Sequence, residues 1–585
     1  MEARRLILVL GGLVVALVLV LGGLSLAVLG GGDGNGGATP QPAPGGGDGN
    51  GGSNGGSDGD GGATPQPAPE SESSPLPERV QGELRLFGPD PISLDPACAS
   101  DAASAEYIVE IFSGLVSFDR ELKLIPDLAE EIPTKENGGI SPDGTVYTFK
   151  IRKGVKFHDG SRQVTADDFK FSMERSLDPQ TLSPVGTVYL DDIVGAKQFA
   201  AGDADEVTGI KVVDEFTLEI TIDEPKSYFL AKLTYPTAYV VDQREVGGSD
   251  CFSAEWTLSP NGTGPFKLDE WQLGQRIVLT PNEGFHLEPR PSLAKVTYVL
   301  AGGSPLVMYE NDEIDLTGVG INDIERIRDP SEPLNAEFSE SPSLDTYYIG
   351  FNTQEPPFDD PKMRQAFALA LDKKVLTEVV LKDLVVPAKG ILPPGMPGFN
   401  EALEGLAFDP ERARDLLEEA GGARSLGQIK LLSSGSGASV GPIMEAIVAM
   451  WEENLGVTVE LSQEEFGLFL RDVDEGNFQM FDLGWIADYV DAQNFLDIKF
   501  HSASANNETG YTNAEVDALL EEARTEQDGA KRLELYQQTE EVIVQDAPWI
   551  PLYHSKSNAL IKPYIQDYFI APFVIPNLRY VSIAP

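Results

Sequence analysis

Tyr147-Thr148-Phe149-Lys150-Ile151-Arg152-Lys153-Gly154-Val155-Lys156-Phe157-His158-Asp159-Gly160 leads into Val164-Thr165-Ala166-Asp167-Asp168-Phe169. The stretch reads as strands around a turn at His158, followed by a helix. Thr165 stands three residues before Asp168, the spacing of a capping box, in which each side chain satisfies a free N–H of the first helical turn. The same grammar recurs further out. Asp360-Pro361 and Asp409-Pro410 each put a capping acid before a proline suited to the first helical position, and Gly421 closes the helix that Pro410 opens. Strand-like runs lie between, at Thr217-Leu218-Glu219-Ile220-Thr221-Ile222, Ile277-Val278-Leu279 and Val457-Thr458-Val459-Glu460-Leu461. Strands and helices are mixed along the whole chain, which makes it α/β.

The chain has 585 residues and 41% hydrophobic content, enough for a large core divided among three or four units. Lys and Arg number 43 against 93 Asp and Glu, a formal net charge of −50. Such a surface repels phosphate backbones and anionic lipid headgroups, so nucleic acid is excluded as a partner.

From Leu6 to Leu29 run 24 residues without a charge. At about 1.5 Å per residue this crosses a hydrocarbon core of about 30 Å. Arg4 and Arg5 precede it and the next basic residue is Arg79, which puts residues 1–5 inside the cell and the rest outside. The run exceeds the apolar core of an ordinary signal peptide, and an uncleaved anchor at 6–29 is expected; cleavage after Ser25-Leu26-Ala27 is the alternative. No Cys directly follows the run, so if the protein stays at the membrane the helix itself must hold it. Residues 30–79 are dominated by Gly, Pro, Asp, Asn and Ser, with Ala-Thr-Pro-Gln-Pro-Ala-Pro at 38–44 and again at 63–69. With so few apolar side chains the segment is expected to be a disordered linker, spanning on the order of 40 Å. Asp58-Gly59-Asp60-Gly61-Gly62 lacks the distal Glu of a calcium loop and belongs to the linker.

Further motifs stand at Ser93-Leu94-Asp95-Pro96, Ile111-Phe112-Ser113-Gly114-Leu115, Gly262-Thr263-Gly264-Pro265-Phe266-Lys267-Leu268, Tyr348-Ile349-Gly350-Phe351-Asn352, Asp360-Pro361-Lys362-Met363-Arg364-Gln365-Ala366-Phe367 and Gly484-Trp485-Ile486-Ala487-Asp488-Tyr489. Together, in this order from about Val80 to Pro585, they resemble the extracytoplasmic solute-binding proteins of ABC importers of the peptide, opine and nickel type, and among these the oligopeptide binders. The resemblance implies a two-lobed periplasmic-binding-protein-like fold of type II, in the large class with an extra subdomain in lobe I. Lobe I would comprise 80–345 plus 548–585, with the insertion at about 117–241, and lobe II 346–547. The crossovers would lie near Thr346 and Pro548. It also implies an oligopeptide or other small solute as ligand, ABC permease and ATPase subunits as partners, a monomer, and no chemistry and no cofactor.

By the same resemblance Asp488 receives the ligand's α-ammonium, Gly484, Ile486 and Ala487 offer strand-like backbone, and Trp485 and Tyr489 add apolar wall. Ser100, Asp101 and Ala102 would be the facing segment of the first lobe. A closed cleft has a low dielectric, so a cation taken into it needs a fixed opposite charge. Read without the family, Trp485 and Tyr489 are core aromatics and Asp488 caps a turn. Relatives that take tripeptides place an Arg six residues before the anchor acid, where this chain has Asp482. Their Trp in the stretch matching 464–470 is Phe466. The partner of a ligand's far end is therefore open, and an opine, an oligosaccharide or a metal chelate remains an alternative ligand, as does a sensor or chaperone ectodomain.

Cys98 and Cys251 are the two cysteines, an even number in an exported chain, which favours a disulfide over two buried thiols. The family pair in peptide binders matches Asp345 and Ile486, so no bond carries over. His158, His286, His501 and His554 show no metal spacing. Gly437-Ala438-Ser439-Val440-Gly441 matches a nucleophile elbow with Ser439 as nucleophile, but a loose Gly/Ser loop separates it from the preceding strand, Ile429-Lys430-Leu431-Leu432. A serine hydrolase is the weakest reading.

Overall fold

The computed structural model describes residues 78–585 apart from 249, 252, 254, 436–440, 505 and 585. The apolar run at 6–29, nearly all of the linker, and Ser439 lie outside the described residues. Among the described residues no helix is long and apolar enough to cross a membrane.

The Tyr147 stretch folds by local bonds. Strand Val146–Lys150 pairs antiparallel with Thr217–Thr221, which in turn pairs with Ile210–Asp214. Lys156 and Gln163 bridge across the turn that holds His158. Helix Ala166–Leu177 then starts with the capping box formed, the Thr165 N–H donating to Asp168 Oδ2 at 2.9 Å. Arg162 grips the same carboxylate with both terminal nitrogens, at 2.7 and 2.6 Å, so the turn and the helix start are one unit.

The other motifs are the places where distant segments touch. Asp95 takes a bidentate pair from Arg175, at 2.9 and 2.5 Å, tying Ser93–Pro96 to that helix. Gly262 and Gly264 pass so close to the end of helix Ala102–Ile111 that an added Cβ would stand 2.0 Å from Ile111 O and 2.5 Å from Glu110 O. The Gly264 N–H donates to Ile111 O at 2.8 Å, and the Ser113 N–H to Thr263 Oγ1 at 3.1 Å. His158 Nε2 lies 3.1 Å from Gly264 O. Burial drives its pKa down to about 4 and keeps it neutral, a structural part of this junction. Cys98 and Cys251 are bonded across a sequence separation of 153 residues.

A sheet of 12 strands runs through the molecule. At one end Glu83–Phe87 is flanked in parallel by Lys295–Val299 and Leu316–Gly318. At the other, Ile429–Ser434 is flanked in parallel by Val459–Glu464 and Met480–Ile486. The long strand Trp549–Ile561 joins them. Its first residues pair with Asp345–Phe351 and Val385–Pro387, its last with Leu316–Gly318 and Phe338–Pro342. One core packs Leu84, Tyr107, Phe266 and Val296. A separate one packs Phe351, Phe367, Ile447 and Trp451 around the second set of strands. Helix Pro361–Leu369, capped by Asp360, is anchored there by Arg364, whose guanidinium donates to Asp546 O and Phe358 O at 2.7 Å.

Candidate functional site

Strand Met480–Ile486 is covered on one side only. It pairs antiparallel with Asp345–Phe351 along its whole length, from Phe351↔Met480 to Asp345↔Ile486. On the other side its pairing with Ile429–Ser434 stops at Leu432↔Phe481. The backbone of 482–486 is thus an open edge, able to add an extended chain as a further strand. Gly484 sits against the ring of Tyr347, which an added Cβ would approach to 2.8 Å, so no larger residue fits without moving the ring.

Past this edge the chain turns, and Asp488 sits half-buried there. The Asn494 amide donates to Asp488 Oδ2 at 3.0 Å, while its own carbonyl accepts from the Asp488 N–H at 3.1 Å and from Trp485 Nε1 at 3.3 Å. The Tyr189 hydroxyl is a further partner of the carboxylate. Both side-chain partners are neutral. Burial raises the Asp488 pKa to about 6, against the pull of these hydrogen bonds and of the Lys499 charge. Lys499 itself is engaged with Glu508 and stands 4.1 Å over the Trp485 ring.

Tyr189 carries the site across to the first segment. Its ring stacks on Tyr235 with centroids 3.6 Å apart, and the Tyr235 hydroxyl donates to Ala99 O at 3.1 Å. Ser100 and Asp101 follow, both buried. Asp101 is extended, with φ −133° and ψ 148°, and caps helix Ala102–Ile111 by accepting from the Ser104 N–H at 2.7 Å. Ala102 therefore opens a helix instead of prolonging an extended segment. Nearby the same halves meet again, where the Ser227 N–H donates to Arg524 O at 3.3 Å.

Of the residues singled out from sequence, the structure brings Asp488 and, through two tyrosines, Ser100 and Asp101 to one junction. Trp485 and Tyr489 are only 3% and 1% exposed and pack with Phe495 and Phe500. Tyr189, Tyr235 and Asn494 were missed. The two tyrosines lie about 250 to 300 positions from Asp488 in the chain, with no local pattern to mark them. Asn494 was findable, six residues after Asp488 on the first turn of helix Gln493–Phe500. The histidines stay apart, and among the described residues no group of His, Cys, Asp and Glu could hold a metal.

An open strand edge beside a half-buried acid, at the junction of two sheet halves, is the layout expected of a solute receptor. The model of bacterial extracellular solute-binding proteins, family 5, matches residues 123–507. The chain belongs to that family. The periplasmic oligopeptide-binding protein OppA of Escherichia coli K12 is 30% identical over 498 residues, covering 83% of this chain and 89% of that protein. YgiS of the same organism, described as a probable deoxycholate-binding periplasmic protein, is 32% identical over 495 residues, covering 81% and 88%. Among solved structures, the unliganded open form of the periplasmic murein tripeptide-binding protein MppA superposes with a TM-score of 0.70 at 28% identity, covering 86% of this chain and 98% of that one. Family 5 relatives of this chain are periplasmic or extracellular binding proteins, and the two-lobed α/β fold is the family's.

Proposed function

We propose that this chain is the receptor of an ABC importer and captures oligopeptides between its lobes for delivery to a permease driven by ATPase subunits. One observation carries the reading: Asp488 is a half-buried carboxylate whose hydrogen bonds come from neutral donors, one of them Tyr189 from the first half of the chain. Burying such a charge without a counter-charge is costly, and a ligand's ammonium supplies the missing partner. The open edge at 482–486 would bind the peptide's main chain, which gives affinity without reading every side chain. Deoxycholate, named for YgiS, is an anion and would meet repulsion at Asp488.

The division into lobes that goes with this reading is 80–345 with 548–585 against 346–547, with the insertion at about 117–241. The change of sheet partners between Pro342 and Asp345, and along Trp549–Ile561, supports it. Rotation about those two connections would open and close the cleft. The receptor acts as a monomer without chemistry on its ligand, and the apolar run at 6–29 tethers it outside the cell through the linker. Native mass spectrometry of the purified protein tests the reading. Bound peptides are expected in the wild type and absent in Asp488→Asn; a non-peptide solute held equally by both would overturn it.

A further inference from the structure

Asp482 is the second acid on the open edge, six residues before Asp488. It stands opposite Ile349, at the point where outer pairing has just ended. Its Oδ1 is buried and has no hydrogen-bond partner, and the carboxylate's side-chain partner is the Ser433 hydroxyl. No cation pairs with it among the described residues. Side chains alternate along a strand, so Asp482 shares a face with Gly484, and directly opposite Gly484 is Tyr347. The Tyr347 ring stacks on Tyr553 at 4.9 Å and 17°. Both rings are partly exposed, and Tyr553 feels the charge of Asp482.

A carboxylate oxygen without a donor, beside two stacked aromatic rings, suits a guanidinium or ammonium group. The acid supplies a charge-assisted acceptor, and the ring faces attract a cation. We infer that Asp482 with Tyr347 and Tyr553 forms a subsite for a basic side chain of the bound peptide, so that the receptor selects peptides carrying Lys or Arg some way from their N-terminus. This deepens the peptide-receptor reading and rests on it. From Asp482 to the end of the strand at Ile486 is four positions, about 13 Å, the reach of roughly four ligand residues, and the turn to Asp488 lies beyond it.

Calorimetry with penta-alanine and five variants, each with a single lysine at one position, tests this on the purified protein. One lysine position is expected to bind at least about tenfold tighter than penta-alanine, and glutamate at that position to bind more weakly. Asp482→Asn should collapse the lysine-to-alanine ratio towards one, and Asp482→Arg should invert the preference towards glutamate. Equal affinities for all lysine positions and penta-alanine in the wild type, or a lysine preference that survives Asp482→Asn, overturn the inference alone. If no pentapeptide binds the wild type, the receptor reading fails and this inference fails with it.

Discussion

Asp488 and Asp491 lie three residues apart, and they are handled in opposite ways. Asp491 receives both terminal nitrogens of Arg532, at 2.8 and 2.7 Å, and Arg532 also donates to the Tyr536 hydroxyl at 2.7 Å. Asp497, six residues further on, is matched in the same way by Arg524 at 2.7 Å twice. Asp488 has an amide and a phenol. Arginines meet the two carboxylates that join helices, and Asp488 is left with neutral donors. A charge completed within the protein has a structural part; the one left incomplete is where the proposed ligand ammonium would bind. Burial raises Asp488, and neither its neutral donors nor the Lys499 charge makes up for the loss of water.

Breaking the complete pair should produce the largest effect. Asp491→Ala leaves Arg532 buried without its partner and should lower unfolding stability by about 3–5 kcal/mol in a denaturant titration. Replacing both residues with apolar ones of similar size should restore most of that loss. Asp488→Asn should do the reverse. Its amide can keep a bond to Asn494 or Tyr189 after a flip, so stability stays level or rises, while peptide affinity measured by calorimetry falls by about 2–5 kcal/mol. If Asp488→Asn unfolded the protein and Asp491→Ala did not, the contrast drawn here would be reversed.

Titration sharpens the comparison. A carboxyl held at about 6 in the folded protein and near 4 when unfolded binds its proton more tightly when folded. Its contribution to stability therefore falls as pH rises from about 4 to 6, the opposite of a salt-bridged acid. Binding of a cationic ligand needs the ionised form. Peptide affinity should rise about tenfold per pH unit below 6 and level off above it, and the slope should vanish in Asp488→Asn. The difference between the two proteins is the quantity to read, because Asp345, Asp474 and Asp482 are also raised to about 6 by burial.

Much of the fold was legible because its signals are local or steric. The Thr165–Asp168 capping box and the Asp360 cap are bonds within one helical turn, and Gly262 and Gly264 are glycines because a helix end lies against them. The site was legible only on one side. Asp488 stood out only through the family resemblance, since without it an acid at that place reads as the cap of a turn. Its partners Tyr189 and Tyr235 are brought in by tertiary packing, which no spacing records. Trp485 and Tyr489 look the same in sequence whether they line a cleft or fill a core. Here Asn494 and Gln493, which bond the Trp485 ring nitrogen and the Tyr489 hydroxyl, hold both inward. Asp101 misled in another way, since the residue that would extend one segment caps the helix that follows it.

The smallest effect comes from a pair that resembles Asp491–Arg532 on paper. Lys531 bonds Glu522 at 2.8 Å and Glu526 at 2.6 Å, but the lysine is about half exposed. Water already solvates these charges, and holding long side chains in place costs entropy, so such pairs contribute little. Lys531→Ala should lower the melting temperature barely beyond error at low salt, and part of that small change should reflect one more unit of negative charge on a chain already at −50. At 1 M salt, where the screening length is about 3 Å, the change should disappear. The cost of Asp491→Ala should persist there, because ions do not reach a guanidinium enclosed beside Tyr536. A salt-insensitive Lys531→Ala, or a salt-erased Asp491→Ala, would mean that enclosure and not pairing had been misjudged.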